Sequence, residues 1–77
     1  MYNLMDDILE HSIVLEDALK RNWSIEILFL KHNHHMRYNY VVPVHIDNKK
    51  YIVSLERLDE RIIDIIIEDI VFCEVMT

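Results

Sequence analysis

Glycine is absent from this 77-residue chain, and proline, cysteine and tryptophan occur once each. Without glycine, the chain cannot contain the phosphate-binding loops of nucleotide-binding proteins or the glycine-flanked elbow of a serine hydrolase. Turns that need a left-handed backbone must use asparagine or aspartate, which tolerate that conformation best after glycine. The single cysteine, Cys73, excludes an intramolecular disulfide and fits a reducing compartment.

Long apolar runs are also missing, although 52% of the residues are hydrophobic. No run approaches the roughly 20 apolar residues that a membrane span needs. The acidic start MYNLMDDILE differs from a signal peptide, which begins with basic residues. A chain this short builds a single core, so residues 1–77 are predicted to form one domain. We expect a cytoplasmic protein that does not associate with membranes.

Negative charge predominates, with 14 Asp and Glu residues against 8 Lys and Arg residues and a net charge of −6. Such a charge repels phosphate backbones and anionic membrane surfaces at long range. It suits a protein partner with a basic face better than it suits a nucleic acid. No cofactor is predicted.

A helical period runs from Asn3 to Arg21, and residues 1–22 are predicted to form a helix. Asn3 can cap its start, and Lys20 and Arg21 lie in the last turn, where the helix dipole favours positive charge. Two pairs, Glu16 with Lys20 and Asp17 with Arg21, have the i,i+4 spacing of an ion pair. The predicted apolar stripe consists of Leu4, Ile8, Leu15 and Leu19, widened by Met5, Ile13 and Ala18.

After Trp23 the hydrophobic period changes to two, which predicts strands. The predicted strands are 24–31, 38–46, 50–56, 62–67 and 70–75. Pro43 cannot donate a backbone hydrogen bond, which predicts an edge or a bulge at that position. The last two strands also fit a helical period, but their many isoleucines favour strands. Turns are predicted at Asn33, Asn39, Asp47-Asn48, Asp59 and Glu68-Asp69.

Alternation predicts which residues share a face within each strand. The predicted faces are Ile25, Ile27 and Phe29 in the first strand; Tyr38, Tyr40, Val42, Val44 and Ile46 in the second; and Tyr51, Val53 and Leu55 in the third. The predicted fold class is α+β, with the N-terminal helix packed on a small five-stranded antiparallel SH3/Sm-like β-barrel over residues 24–75.

The order of these segments resembles the YolD-like family of small bacterial and phage proteins, over about residues 13 to 75. The residues that carry the resemblance are Ile25, Ile27 and Phe29, then Ile46-Asp47, then Lys50, Ile52 and Ser54, then Ile65 and Ile70. The chain departs from the family in lacking its turn glycines and in having a short loop after Asp47. The resemblance implies a small barrel and a regulatory role, and such proteins have been linked to accessory roles of error-prone polymerases.

A second resemblance is to the WYL domain, which is also a small Sm-like barrel. It rests on Val42-Pro43, Lys50-Tyr51-Ile52 and Ile67-Glu68-Asp69-Ile70. The signature tryptophan of that domain is replaced by Lys50, and its basic ligand-binding residues are largely missing. Both resemblances imply the same barrel.

The stretch KHNHHMRYN, from Lys31 to Asn39, is the densest group of potential ligands. His32, His34 and His35 could coordinate zinc or nickel through neutral imidazoles. A durable site needs three or four ligands with supporting partners, and no cysteine or acid lies nearby. We therefore interpret this stretch as a solvated hairpin loop and predict no metal.

The same hairpin provides the alternative function, which is nucleic-acid binding. Lys31, Arg37, Tyr38 and Tyr40 could hold a single strand through charge and stacking. The two tyrosines also follow the strand period, so they could equally be residues of the core or of the barrel surface with no role in binding.

An enzyme is not predicted, because no serine lies in a glycine-containing elbow and Cys73 lies in a hydrophobic strand, where thiols are usually inert.

The last two strands contain more apolar residues than a one-sided strand pair can bury. Exposed apolar surface of this kind usually marks an interface. We predict a non-catalytic interaction or regulatory module that binds a protein partner and could also form a homodimer. The predicted interaction residues are Ile63, Ile65, Ile67, Val71, Cys73 and Val75.

Overall fold

The computed structural model describes residues 4–76, with side chains from Ile8 onward. One helix, α1 (Leu4–Arg21), precedes five strands and a short 3₁₀ turn (Ile67–Asp69). The strands are β1 (Ile25–Lys31), β2 (His34–Asp47), β3 (Ile52–Glu56), β4 (Ile62–Ile66) and β5 (Ile70–Val75). They form one antiparallel sheet in the order β4-β3-β2-β1-β5, and α1 packs on it. The predicted α+β class is confirmed.

Helix α1 buries Leu15 and Ala18 completely, as the predicted stripe requires. Ile13 is exposed, so the prediction that it widens this stripe was wrong. One of the two predicted ion pairs forms, with the Arg21 Nε atom 3.0 Å from the Asp17 Oδ1 atom, whereas Glu16 and Lys20 form no salt bridge among the described residues. The helix ends at Arg21, and the next residue, Asn22, has a φ of 56°, the left-handed conformation typical of the position after a helix C-terminus. The predicted cap Asn3 lies outside the described residues.

Strand β2 is the long strand of the sheet, and two bulges bend it. Its first half pairs with β1 and its second half pairs with β3. One bulge includes Tyr40, which has a φ of 58°, and the other adds Val44 beside Pro43. Each bulge inserts one residue and so moves the following side chains to the other face.

The two bulges overturn the predicted faces of β2. Val41 and Pro43 are buried, whereas Tyr40 and Val44 are exposed. The prediction that Tyr40, Val42 and Val44 share the inner face with Tyr38 and Ile46 was therefore wrong, because uninterrupted alternation was assumed. Of the two predicted alternatives at Pro43, an edge or a bulge, the structure has the bulge, and β2 lies in the middle of the sheet. The predicted common face of β3 holds for Val53 and Leu55, but Tyr51 lies in the preceding turn with a φ of 56°.

The hydrophobic core lies between α1 and the sheet. It consists of Leu15, Ala18, Ile25, Ile27, Phe29, Val41, Val53, Leu55, Ile65, Ile67, Ile70 and Cys73. Within the part of the chain that the structure describes, no helix has both the length and the apolar character needed to cross a bilayer.

The sheet is open, so the predicted closure into a barrel was wrong. Among residues 4–76, β4 and β5 occupy opposite edges and do not pair with each other. The 3₁₀ turn at Ile67–Asp69 carries the chain from one edge to the other, and β5 then pairs with β1. Closure would require β4 to pair across the remaining gap, where the structure has a groove instead.

Candidate functional site

A groove of about 550 Å³ lies in the gap that leaves the sheet open. One wall comes from the β1–β2 hairpin, including Phe29, Lys31 and His32, and the other comes from β4 and the 3₁₀ turn. The groove is lined by Phe29, Leu30, Lys31, His32, Asn33, Tyr38, Ile63, Asp64, Ile65, Ile66 and Asp69. It brings together members of all three predicted residue sets, two of which come from the hairpin and one from β4 and the segment that follows it.

The hydrogen bonds at the two ends of the β3–β4 ladder determine which backbone groups of β4 are free. The Ile67 N–H donates to the Tyr51 carbonyl at 2.8 Å, and the Arg57 N–H donates to the Arg61 carbonyl at 2.8 Å. In an antiparallel ladder, residues that bond to the neighbouring strand alternate with residues that do not. Ile63 and Ile65 therefore bond to β3.

The backbone N–H and C=O groups of the remaining β4 residues point away from β3, toward the open side. These residues are Ile62, Asp64 and Ile66. A row of unpaired backbone groups is a template for another strand. The β3–β4 pairing runs from Ile62 to Ile66 without a register shift, so the row is regular.

The side chains of the same three residues lie on the outer face of the sheet. Ile62 and Ile66 are about half exposed, and Asp64 is exposed between them. The Ser54 hydroxyl donates a hydrogen bond of 2.6 Å to the Asp64 Oδ1 atom, which holds the carboxylate in place. Between residues 8 and 76, neither Asp64 nor Asp69 is in a salt bridge. The edge thus presents two apolar side chains around one negative charge.

The predicted interaction residues are divided between the core and the surface. Ile65, Ile67 and Cys73 lie in the core, Ile63 and Val75 are half-buried, and Val71 is exposed. The exposed apolar residues Ile62, Ile66 and Phe72 were not in the predicted set. The exposure of these three residues could have been predicted from the charged residues Asp64 and Glu74. In a strand, a side chain two positions from a charged residue lies on the same face as that residue.

The hairpin residues of the alternative function are only partly accessible. Lys31 and Arg37 are exposed, and Tyr40 is exposed at its bulge. The Tyr38 ring stacks on Phe29 with a centroid distance of 5.8 Å, and the Arg57 guanidinium lies 5.1 Å from its centroid. Tyr38 is therefore already engaged in contacts within the protein.

The histidine stretch is mostly strand rather than loop. His32 and Asn33 form the turn with positive φ angles, whereas His34 and His35 begin β2. His34 pairs with Lys31 and His35 pairs with Leu30. In the described part of the chain, no group of three or more His, Cys, Asp or Glu side chains could hold a metal ion.

Two side chains outside the groove have shifted pKa values with structural causes. The backbone N–H groups of Lys50 and Lys49 donate to the Asp47 carboxylate, at 3.1 and 3.0 Å, and lower its pKa. This contact forms the turn after β2. Burial raises the pKa of the Cys73 thiol to about 12, and its Sγ atom lies 4.0 Å from the His11 carbonyl oxygen in α1. A thiol held protonated is a poor nucleophile.

No protein-family model, curated protein or solved structure matches the chain. The resemblances to the YolD-like family and to the WYL domain therefore stay predictions.

Proposed function

We propose that the protein is a non-catalytic interaction module that binds a protein partner at the edge of β4 and the adjoining groove. The observation that carries this proposal is the regular, unpaired edge formed by Ile62, Asp64 and Ile66. Proteins usually blunt such an edge with a lysine, a proline, a bulge or a covering element, because an uncovered edge pairs readily with another chain. An edge of this kind that persists is suited to binding.

The groove beside the edge supports the same proposal. Phe29 and Tyr38 form an apolar wall, and Ile63 and Ile65 face it from β4. A partner that reached the edge could place side chains against this wall and remove apolar surface from water, at about 25 cal/mol per Å². Interfaces of this composition bind through a few buried anchors.

We take the open sheet as a variant of an SH3/Sm-like barrel, because β2 bends and serves both halves of the sheet. The resemblances described above would then extend to a regulatory role in the cytoplasm of a bacterium or in a phage-infected cell.

The proposal is tested by capturing partner proteins on the immobilised chain. Two variants are compared, one on each edge strand, at positions whose side chains are equally exposed. Ile66 in β4 and Val71 in β5 are both 48% exposed. We expect the immobilised wild-type protein and Val71→Lys to retain the same partner proteins from a host extract. Ile66→Lys should lose them, because a lysine on the outer face of β4 hinders strand addition. Circular dichroism confirms that each variant is folded.

Two results would contradict the proposal. In the first, Ile66→Lys retains the same partners as Val71→Lys, which places binding elsewhere. In the second, nuclease treatment of the extract abolishes capture, which favours nucleic-acid binding through Lys31, Arg37 and Tyr40.

A further inference from the structure

We propose that the partner contributes an extended segment that pairs with β4 as a sixth strand and places a basic residue opposite Asp64. This inference rests on the proposed function and specifies the chemistry of the partner. It follows from three properties of β4: the direction of its free backbone groups, the order of its outer side chains and its charge.

The free backbone groups select an extended segment. Ile62, Asp64 and Ile66 each direct an N–H and a C=O group to the open side, spaced two residues apart. An extended chain presents donors and acceptors at the same spacing, so it can satisfy this row through main-chain bonds alone. A helix cannot, because its backbone groups are already bonded within the helix.

The outer side chains then select the residues of the segment. A residue directly across an antiparallel pair has its Cβ atom about 4.5–5.5 Å away, and opposite charges at this distance are favourable. The exposed Asp64 carboxylate, held by Ser54, thus favours a lysine or arginine opposite it. Ile62 and Ile66 favour apolar residues on either side of that basic residue.

The alternate side chains of the segment point toward the groove. Phe29 and Tyr38 line the groove there, so apolar residues fit at these positions. Lys31 and His32 belong to the hairpin wall of this groove, and Asp64 and Asp69 belong to the wall formed by β4 and the 3₁₀ turn.

Charge distinguishes this partner from a second copy of the chain. When β4 pairs antiparallel with itself over its full length, Asp64 lies opposite the Asp64 of the copy, because it is the central residue of the strand. Like charges directly opposite each other destabilise a strand pair. The net charge of −6 adds repulsion between copies at long range. The edge is therefore assigned to a basic partner.

Synthetic peptides test this inference directly. The first peptide carries lysine at the centre of a valine strand with flanking serines, and the second carries glutamate in place of that lysine. The third is the lysine peptide with N-methyl groups on the amides that would face β4. Binding to each is measured by fluorescence anisotropy at low salt, with the wild-type chain and the variants Asp64→Lys and Glu74→Lys.

The wild-type chain should bind the lysine peptide about fivefold more tightly than the glutamate peptide, because of the cross-strand charge pair. Asp64→Lys should reverse this preference, which is read as the ratio of the two affinities because an edge lysine weakens strand addition for both peptides alike. Glu74→Lys makes the same charge change at an exposed position of β5 and should keep the wild-type preference. The N-methylated peptide should bind at least about tenfold more weakly, because it cannot form the main-chain bonds.

Equal binding of all three peptides, or no binding of any, would overturn the inference. So would a preference that reverses equally in Glu74→Lys, since that reports net charge rather than a contact with Asp64. Dimerisation of the wild-type chain in sedimentation that Ile66→Lys abolishes would assign the edge to a second copy. In each case, capture that depends on Ile66 would leave the proposed function standing.

Discussion

The two edge strands of the sheet are both rich in branched apolar residues, yet the fold protects only one of them. Strand β5 contains a bulge at Val71, where the pairing with β1 shifts register, and α1 packs against it. Strand β4 pairs regularly along its whole length, and α1 contacts β2, β5 and the 3₁₀ turn. A bulge and a covering helix are recognised ways to protect an edge. The difference teaches that the composition of a strand does not determine whether its edge is available.

The surroundings of β5 show what that protection looks like. The Met76 N–H donates to the Ser24 carbonyl at 2.9 Å, so Cys73 and Val75 direct their backbone groups away from β1. The Cys73 side chain nevertheless lies beneath α1, and a groove of about 530 Å³ separates Ile13 of the helix from Val71 and Phe72. The helix thus lies beside the edge of β5, whereas β4 pairs on its outer edge with no strand of residues 4–76.

The largest expected effect separates the two faces of β4. Ile65→Ala should lower the free energy of unfolding by about 2–5 kcal/mol, because Ile65 is buried and its truncation leaves a cavity. Ile66→Ala is the matched control and should cost less than about 1 kcal/mol, because its side chain is half exposed. Urea unfolding measures both values. Similar losses for the two variants would mean that the outer face of β4 is part of the core.

The next effect concerns the protected strand and depends on pH. The pKa of Cys73 is raised from 9.0 to about 12, so the folded state holds this proton more tightly than the unfolded state does. The resulting stability is fully present below pH 9 and is lost as the pH rises toward 12. Between pH 8 and pH 10.5, the urea midpoint of the wild-type chain should fall more than that of Cys73→Ala. Parallel curves would show that Cys73 is not shielded by α1.

The smallest effect concerns the turn that leads into β4. Glu60 has a φ of 69°, and a residue with a side chain is strained in that conformation. The 3₁₀ turn before β5, in contrast, has no residue with a positive φ. Glu60→Gly should therefore stabilise the chain by about 0.5–1 kcal/mol and raise the melting temperature by a few degrees. Glu60→Ala controls for the loss of the side chain and should give no gain. Equal changes in both variants would exclude relief of backbone strain.

Much of the fold could be predicted because its signals are local. Periodicity predicts the end of the helix near Arg21 and the strands Ile25–Lys31 and Ile70–Val75. Two acids within an apolar run predict the turn at Glu68-Asp69. The bulges at Tyr40 and Val44 could not be predicted in detail. They depend on how β2 pairs with two different strands, and a single extra residue reverses every following side chain.

The site was harder to predict than the fold, because it depends on which strands fail to pair. The groove exists since β4 and β5 lie at opposite edges, and this is a long-range property of the sheet. The faces of β4 were accessible from the sequence through Asp64, the charged residue of that strand. Its position places Ile62 and Ile66 outward and Ile63 and Ile65 inward.

Amide hydrogen exchange followed by NMR, on the free protein and on its complex with the captured partner, measures whether the partner pairs with the free edge of β4. In the free protein, the amides of Ile62, Asp64 and Ile66 should exchange faster than those of Ile63 and Ile65. In the complex, the account predicts that the first three become protected while Cys73 and Val75 in β5 stay unchanged. Protection of Cys73 and Val75 with no change at Ile62, Asp64 and Ile66 would contradict the account.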